Sequence, residues 1–185
     1  IPPRENQCPA MQQIAVRLLK PLFLGALRGF LISALIIAVV LVTGGRVEKT
    51  GDRLQVALPI LAWGCAAANG EAAEYALRYV VMYGLAHGTK AALGEAPVNR
   101  RPHGGGRGMP SAHTSTAVLG ASRLVGDCLA GNAVAQSVTL LAAGLVGGSR
   151  IAVGAHDLWQ VLAGAVLGLV CDRLARRGSR LRRWI

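Results

Sequence analysis

Aromatic residues are scarce in this 185-residue chain, at 4%, and charged residues make up only 16%. A soluble domain carries about 25% charged residues, so an ordinary water-facing surface is excluded. Acidic side chains are fewest, with 9 Asp and Glu against 20 Lys and Arg. Cysteine is limited to Cys8, Cys65, Cys128 and Cys171, and no Cys-x-x-Cys pair occurs. That spacing lacks the common zinc and redox motifs, and the four are expected as reduced, buried small hydrophobes. The first long apolar segment lacks the short core and cleavage site of a signal peptide. The basic residues are not interleaved with aromatics and belong to no known binding module, so no nucleic-acid partner is expected.

What the chain does have is 52% hydrophobic residues and 24 glycines. Lipid is the solvent that suits such a composition, and closely packed membrane helices favour small residues at their contacts. The expected fold is all-α, an integral membrane bundle of about six transmembrane helices. Apolar segments run over Pro21–Thr43, Leu54–Asn69, Ala76–Leu93, Ser111–Ala130, Ala133–Val153 and Leu158–Leu174. At about 1.5 Å per residue, the longest of them crosses a hydrocarbon core of roughly 30 Å. Residues 1–20 form an N-terminal cytoplasmic or interfacial segment, 21–174 one six-span domain, and 175–185 an Arg-rich cytoplasmic tail. Gly44–Arg53 reads as a charged loop, and Glu71 and Glu74 as members of a turn. Arg123 and Asp127 stand four apart, the spacing of an ion pair on one helix face. The pairs Gly144/Gly148 and Gly164/Gly168 read as faces for tight helix contact.

Six spans put both termini on one side. Arg173, Arg176, Arg177, Arg180, Arg182 and Arg183 crowd the C-terminus, and basic flanks favour the cytoplasm. Contact with anionic membrane lipids goes with that placement. The loop after Lys90 and the loop around Ser149–Asp157 then share the opposite side. There lie Arg100-Arg101-Pro102, Pro110-Ser111-Ala112-His113, and Ser149-Arg150 followed after five residues by His156. Arginine forks neutralise and orient phosphate oxygens, one imidazole can attack phosphorus, and a second can protonate the leaving oxygen.

These motifs resemble those of the type 2 phosphatidic acid phosphatase superfamily. Its second motif is proline-serine-glycine-histidine, and here Ala112 replaces the glycine. Its third is serine-arginine, five residues, histidine, three residues, aspartate, and here Gln160 replaces the aspartate. The first is stretched, since Lys90 precedes Arg101-Pro102 by ten residues rather than six. The resemblance implies a membrane lipid phosphatase, metal-independent and without cofactor. His156 would be the nucleophile, His113 the proton donor to the leaving oxygen, and Gln160 the partner that orients His156. Lys90, Arg101, Ser111, Ala112, Ser149 and Arg150 would bind the substrate phosphate. The third motif is similar to the dolichyl- and polyprenyl-diphosphate phosphatase branch, which implies a polyprenyl diphosphate, with phosphatidate-type and lipid A-type headgroups as alternatives. A lipid phosphotransferase using the same site and a non-catalytic membrane subunit are the rival readings. The expected location is a bacterial inner membrane, with the site on the periplasmic face.

Overall fold

The structure is a computed structural model that describes residues 8–42, 46–174 and 176, with side chains from residue 25 onward. Six α-helices occur among the described residues and no strand does: α1 Cys8–Val42, α2 Val47–Ala68, α3 Ala72–Leu93, α4 Ala112–Arg123, α5 Ala133–Ala152 and α6 Leu158–Arg173. A short 3₁₀ turn, Pro97–Asn99, interrupts the long polar loop, and a π-helical turn, Leu124–Cys128, continues α4.

α4 is the central element. It packs against α2, α3, α5 and α6, and Leu119, Ala117 and Gly120 on it are buried. Glycine is what allows the close approach. At Gly164 and Gly168 of α6, an added methyl would overlap the carbonyl oxygens of Ser111 and Ser115. At Gly120 it would overlap the backbone of Leu58 and Pro59 in α2. The expected Gly164/Gly168 contact is therefore present. Gly144 and Gly148 differ, since a methyl at either would meet no atom within 4 Å. They line an open groove rather than a helix contact.

Large apolar side chains face outward on the surrounding helices. Leu35, Ile60, Val80, Leu141 and Val166 are each about half or more exposed. Water would penalise so large an apolar surface, and hydrocarbon would not. By length and composition, two helices could cross a membrane, over Gly25–Val42 and Ala133–Ala152. Of the other four helices, α4 and α6 have 12 and 16 residues, and α2 and α3 carry several charged residues each.

Helix α1 begins at Cys8 and runs without a break through the first apolar segment. Three sequence expectations are corrected. Residues Val47–Arg53 are helical and open α2, not a loop; Glu, Lys and Arg are good helix formers despite their charge. Glu74 belongs to α3. Cys65 and Cys128 form a disulfide, with Cα atoms 6.3 Å apart, within the range a disulfide spans. The chain brings them together across 63 residues, a pairing that no local spacing encodes. Cys171 is free and buried, as expected. The side chain of Cys8, and the tail beyond Arg176, lie outside the described residues.

The helices alternate in direction, so their ends collect in two groups. One holds the starts of α2, α4 and α6 and the ends of α3 and α5, and every motif residue lies there. The other carries buried charge. Arg123 pairs with Glu71 and, at 2.9 Å, with Asp127, as its spacing predicts. Arg176 bonds to Asp127 at 3.1 Å and to Asp172. Arg78 pairs with Glu74.

Candidate functional site

The site is assembled from helix ends, where backbone groups are left without helical partners. Ser111 is the N-cap of α4: its Oγ accepts from Thr114 N at 3.4 Å and from Thr114 Oγ1 at 3.0 Å. Ala112 and His113 are the first two helical residues after it, so their N–H groups have no acceptor within the helix. The end of a helix dipole adds partial positive charge at the same place.

Asp157 caps α6 by accepting from Gln160 N at 2.8 Å. One turn along, Gln160 is fully buried and reaches back to His156. Its Nε2 donates to the carbonyls of Val98, at 3.1 Å, and Arg100, at 2.7 Å. With the amide nitrogen so committed, Oε1 faces His156 Nδ1 at 3.0 Å. Nδ1 must then carry the proton, which leaves the Nε2 lone pair free. Burial pushes the His156 pKa down to about 4; the Gln160 bond opposes this, and the charges of Lys90, Arg101 and His113 reinforce it. His156 is thus a neutral, oriented imidazole at neutral pH.

Arg150, at the end of α5, is buried and held on three sides. Its Nε donates to Ser149 Oγ at 3.1 Å, its Nη2 to the Glu48 carbonyl at 3.1 Å, and its Nη1 meets Asp52 Oδ1 at 3.0 Å. Ser149 Oγ in turn donates to the Val146 carbonyl at 2.7 Å. Gly51 makes this possible, since a methyl there would overlap Ser149 Oγ. Arg101 lies close enough to act electrostatically on Lys90, His113 and His156. Its Nε is buried without a hydrogen-bond partner. A buried donor left unpaired is costly, and an anion at this place would satisfy it.

Lys90 takes a different position from the one its motif implies. It is buried, and its Nζ donates to the carbonyls of Arg107 at 2.9 Å, Gly108 at 3.4 Å and Pro110. Three carbonyls occupy the three donors of an ammonium. Lys90 therefore fastens the loop and supplies positive charge from behind it.

Sequence reasoning missed two organisers. Asn99, fully buried, donates to the carbonyls of Lys90 at 3.0 Å and Gly94 at 2.8 Å and accepts from Met109 N at 3.0 Å. It ties the end of α3 to the strip before Ser111. No motif marks it, although it directly precedes Arg100-Arg101-Pro102. Asp52 was hidden by the reading of residues 44–53 as a loop. Its Oδ1 lies 3.5 Å from His113 Nε2 as well as 3.0 Å from Arg150. His103, without a matched role, bonds the Gly154 carbonyl and joins the two motif loops. Exposed His87 packs its ring on Tyr83 at 4.2 Å. No group of three or more His, Cys, Asp or Glu suited to a metal ion occurs among the described residues.

Two imidazoles, two arginines and a helix N-terminus thus meet at one end of the bundle. No curated protein and no solved structure gives a significant match to the chain. The family model of the PAP2 superfamily, whose members are phosphatases, matches residues 33–184. With that match covering most of its length, the chain belongs to the PAP2 superfamily.

Proposed function

We propose that this protein is a membrane-embedded lipid phosphatase that works through a phosphohistidine and needs no metal. The observation that carries the reading is the Gln160–His156 bond, which leaves an unprotonated Nε2 within electrostatic reach of Arg101, whose Nε is buried and unpaired. His156 Nε2 attacks phosphorus while the bond to the leaving oxygen breaks, and protonated His113 gives that oxygen its proton. Water then attacks the phosphohistidine, His113 takes back a proton, and inorganic phosphate departs. Arg101, Arg150 and the N–H groups of Ala112 and His113 hold the nonbridging oxygens, where negative charge collects in the transition state.

The substrate is a lipid phosphate or diphosphate. An apolar groove of about 500 Å³ runs along α4, α5 and α6, from Thr114, Gly148 and Leu158 near the site to Leu169 towards the far end. It suits a hydrocarbon tail whose headgroup sits among the motif residues. The glutamine at 160 favours a polyprenyl diphosphate. The outward apolar side chains support six spans, and the basic C-terminus supports a site on the outer face of the membrane, in bacteria the periplasmic side.

The test is phosphate release from detergent-solubilised protein given polyprenyl diphosphate, phosphatidate and lipid A. Turnover of at least one, together with an acid-labile phosphoenzyme that disappears in His156→Ala, is the expected result. Turnover without that intermediate would reject the nucleophile, and no turnover of any of them would reject the lipid phosphatase.

A further inference from the structure

Among the described residues, Asp52 is the carboxylate that forms an ion pair with Arg150 and lies against His113. It stands in the second turn of α2, directly after Gly51, whose missing side chain lets α2 press onto Ser149 and Arg150. A single oxygen, Oδ1, lies 3.0 Å from Arg150 Nη1 and 3.5 Å from His113 Nε2. Of the five N–H groups of the Arg150 guanidinium, that on Nε is taken by Ser149 Oγ and one on Nη2 by the Glu48 carbonyl. Asp52 therefore lies against Nη1, the end of Arg150 that faces neither Ser149 nor the Glu48 carbonyl. It also meets the imidazole nitrogen that would face a leaving oxygen. At 47% exposure its side chain has room to swing into solvent, whereas Arg150 is 5% exposed and pinned.

We propose that Asp52 is an internal anion that occupies the phosphate's place when the site is empty and competes with phosphate for Arg150 and His113. The inference rests on the phosphate-site reading above and adds a regulating residue to it. In the empty site the carboxylate keeps Arg150 aligned and favours the protonated form of His113. An incoming headgroup displaces it. After hydrolysis its return to Arg150 helps to expel inorganic phosphate, because two anions cannot share one donor without repulsion. Asp52 is a positioning residue and takes no part in bond making.

The competition predicts a gain of binding on mutation, which loss of a structural contact would not produce. Inorganic phosphate and orthovanadate are titrated calorimetrically into the full-length, detergent-solubilised protein and its variants. Asp52→Asn and Asp52→Ser should bind both anions at least about fivefold more tightly than the parent, the scale of one like charge removed at contact distance. Asp52→Glu, which keeps the charge, should stay near the parent. With a turned-over substrate, Asp52→Asn should lower KM and also kcat, as product release slows. Parent binding with unchanged or weaker affinity in both neutral variants would overturn the Asp52 inference alone. Absence of binding by parent and variants alike would overturn the phosphate site itself, and this inference with it.

Discussion

Gln160 Oε1 sits 3.0 Å from His156 Nδ1, while the amide nitrogen of the same side chain satisfies the carbonyls of Val98 and Arg100. The third motif of the superfamily has an aspartate where this chain has Gln160, and a carboxylate there would add negative charge beside an imidazolium. The structure gives the amide a second duty that no carboxylate can perform. A carboxylate has no donor, and two buried carbonyls would face it unpaired. We expect Gln160→Glu to lower thermal stability by about 1–3 kcal/mol, the cost of unsatisfied buried acceptors, and to lower activity despite the charge. Gln160→Ala should cost about tenfold in turnover, the scale of one neutral hydrogen bond. Melting curves beside initial rates separate the two effects; a Gln160→Glu variant as stable and active as the parent would refute this account.

The depressed pKa of His156 sets a pH dependence. A histidine pushed down to about 4 is neutral and nucleophilic throughout the range above that value. The acid limb of kcat/KM that belongs to His156 should therefore fall below pH 5, not near the ordinary histidine value of about 6.5. Gln160→Ala removes the contact that raises the pKa and should move that limb lower. Arg101→Ala removes a nearby positive charge and should move it higher. Titration of the His156 imidazole by NMR, in parent and both variants, checks the order.

Glycines of similar appearance in the sequence are predicted to behave oppositely. Gly168→Ala would drive a methyl into the Ser115 carbonyl between α6 and α4, an overpacking that costs about 1–3 kcal/mol. Gly144→Ala meets open space and should be neutral or slightly stabilising, because alanine is the better helix former. Comparing the two melting temperatures distinguishes helix contact from groove.

That contrast shows what the sequence carries and what it does not. Ser111, His113, Arg150, His156 and Gln160 stand in motifs of fixed spacing, and the structure places them together at helix ends, so their proximity was legible. Asp52 and Asn99 were not, since each acts across the fold on residues far away in sequence. The charges of residues 47–53 disguised a helix as a loop, and with it the acidic group that meets Arg150 and His113. Lys90 was identified as part of the site region, but its partners are carbonyls of a loop whose path no spacing rule specifies.

The disulfide supplies a prediction independent of the chemistry. Cys65 at the end of α2 and Cys128 after α4 cross-link the end of the bundle away from His156. Replacing both by serine releases a long loop in the unfolded chain and should cost about 2–4 kcal/mol of stability. Activity at low temperature should persist, because the site's bonds do not pass through that end. Loss of activity without loss of stability would contradict the separation of the two ends.

That separation also makes sidedness testable within the described residues. Gly105 lies in the loop beside the motif residues, and Ala130 lies between α4 and α5 at the opposite end. Both are exposed, so a cysteine at either is accessible to a thiol reagent. All four native cysteines are first replaced, by serine or alanine, so that only the introduced thiol can react. In intact cells, an impermeant maleimide should label Gly105→Cys and spare Ala130→Cys, and permeabilised cells should label both. The physical basis is that the end of α6, with Arg176 on Asp127, lies at the end of the bundle that holds Ala130, and that the basic sequence which follows α6 favours the cytoplasm. The reverse pattern, with Ala130→Cys labelled and Gly105→Cys protected, would place the histidines on the cytoplasmic face and overturn the proposed orientation.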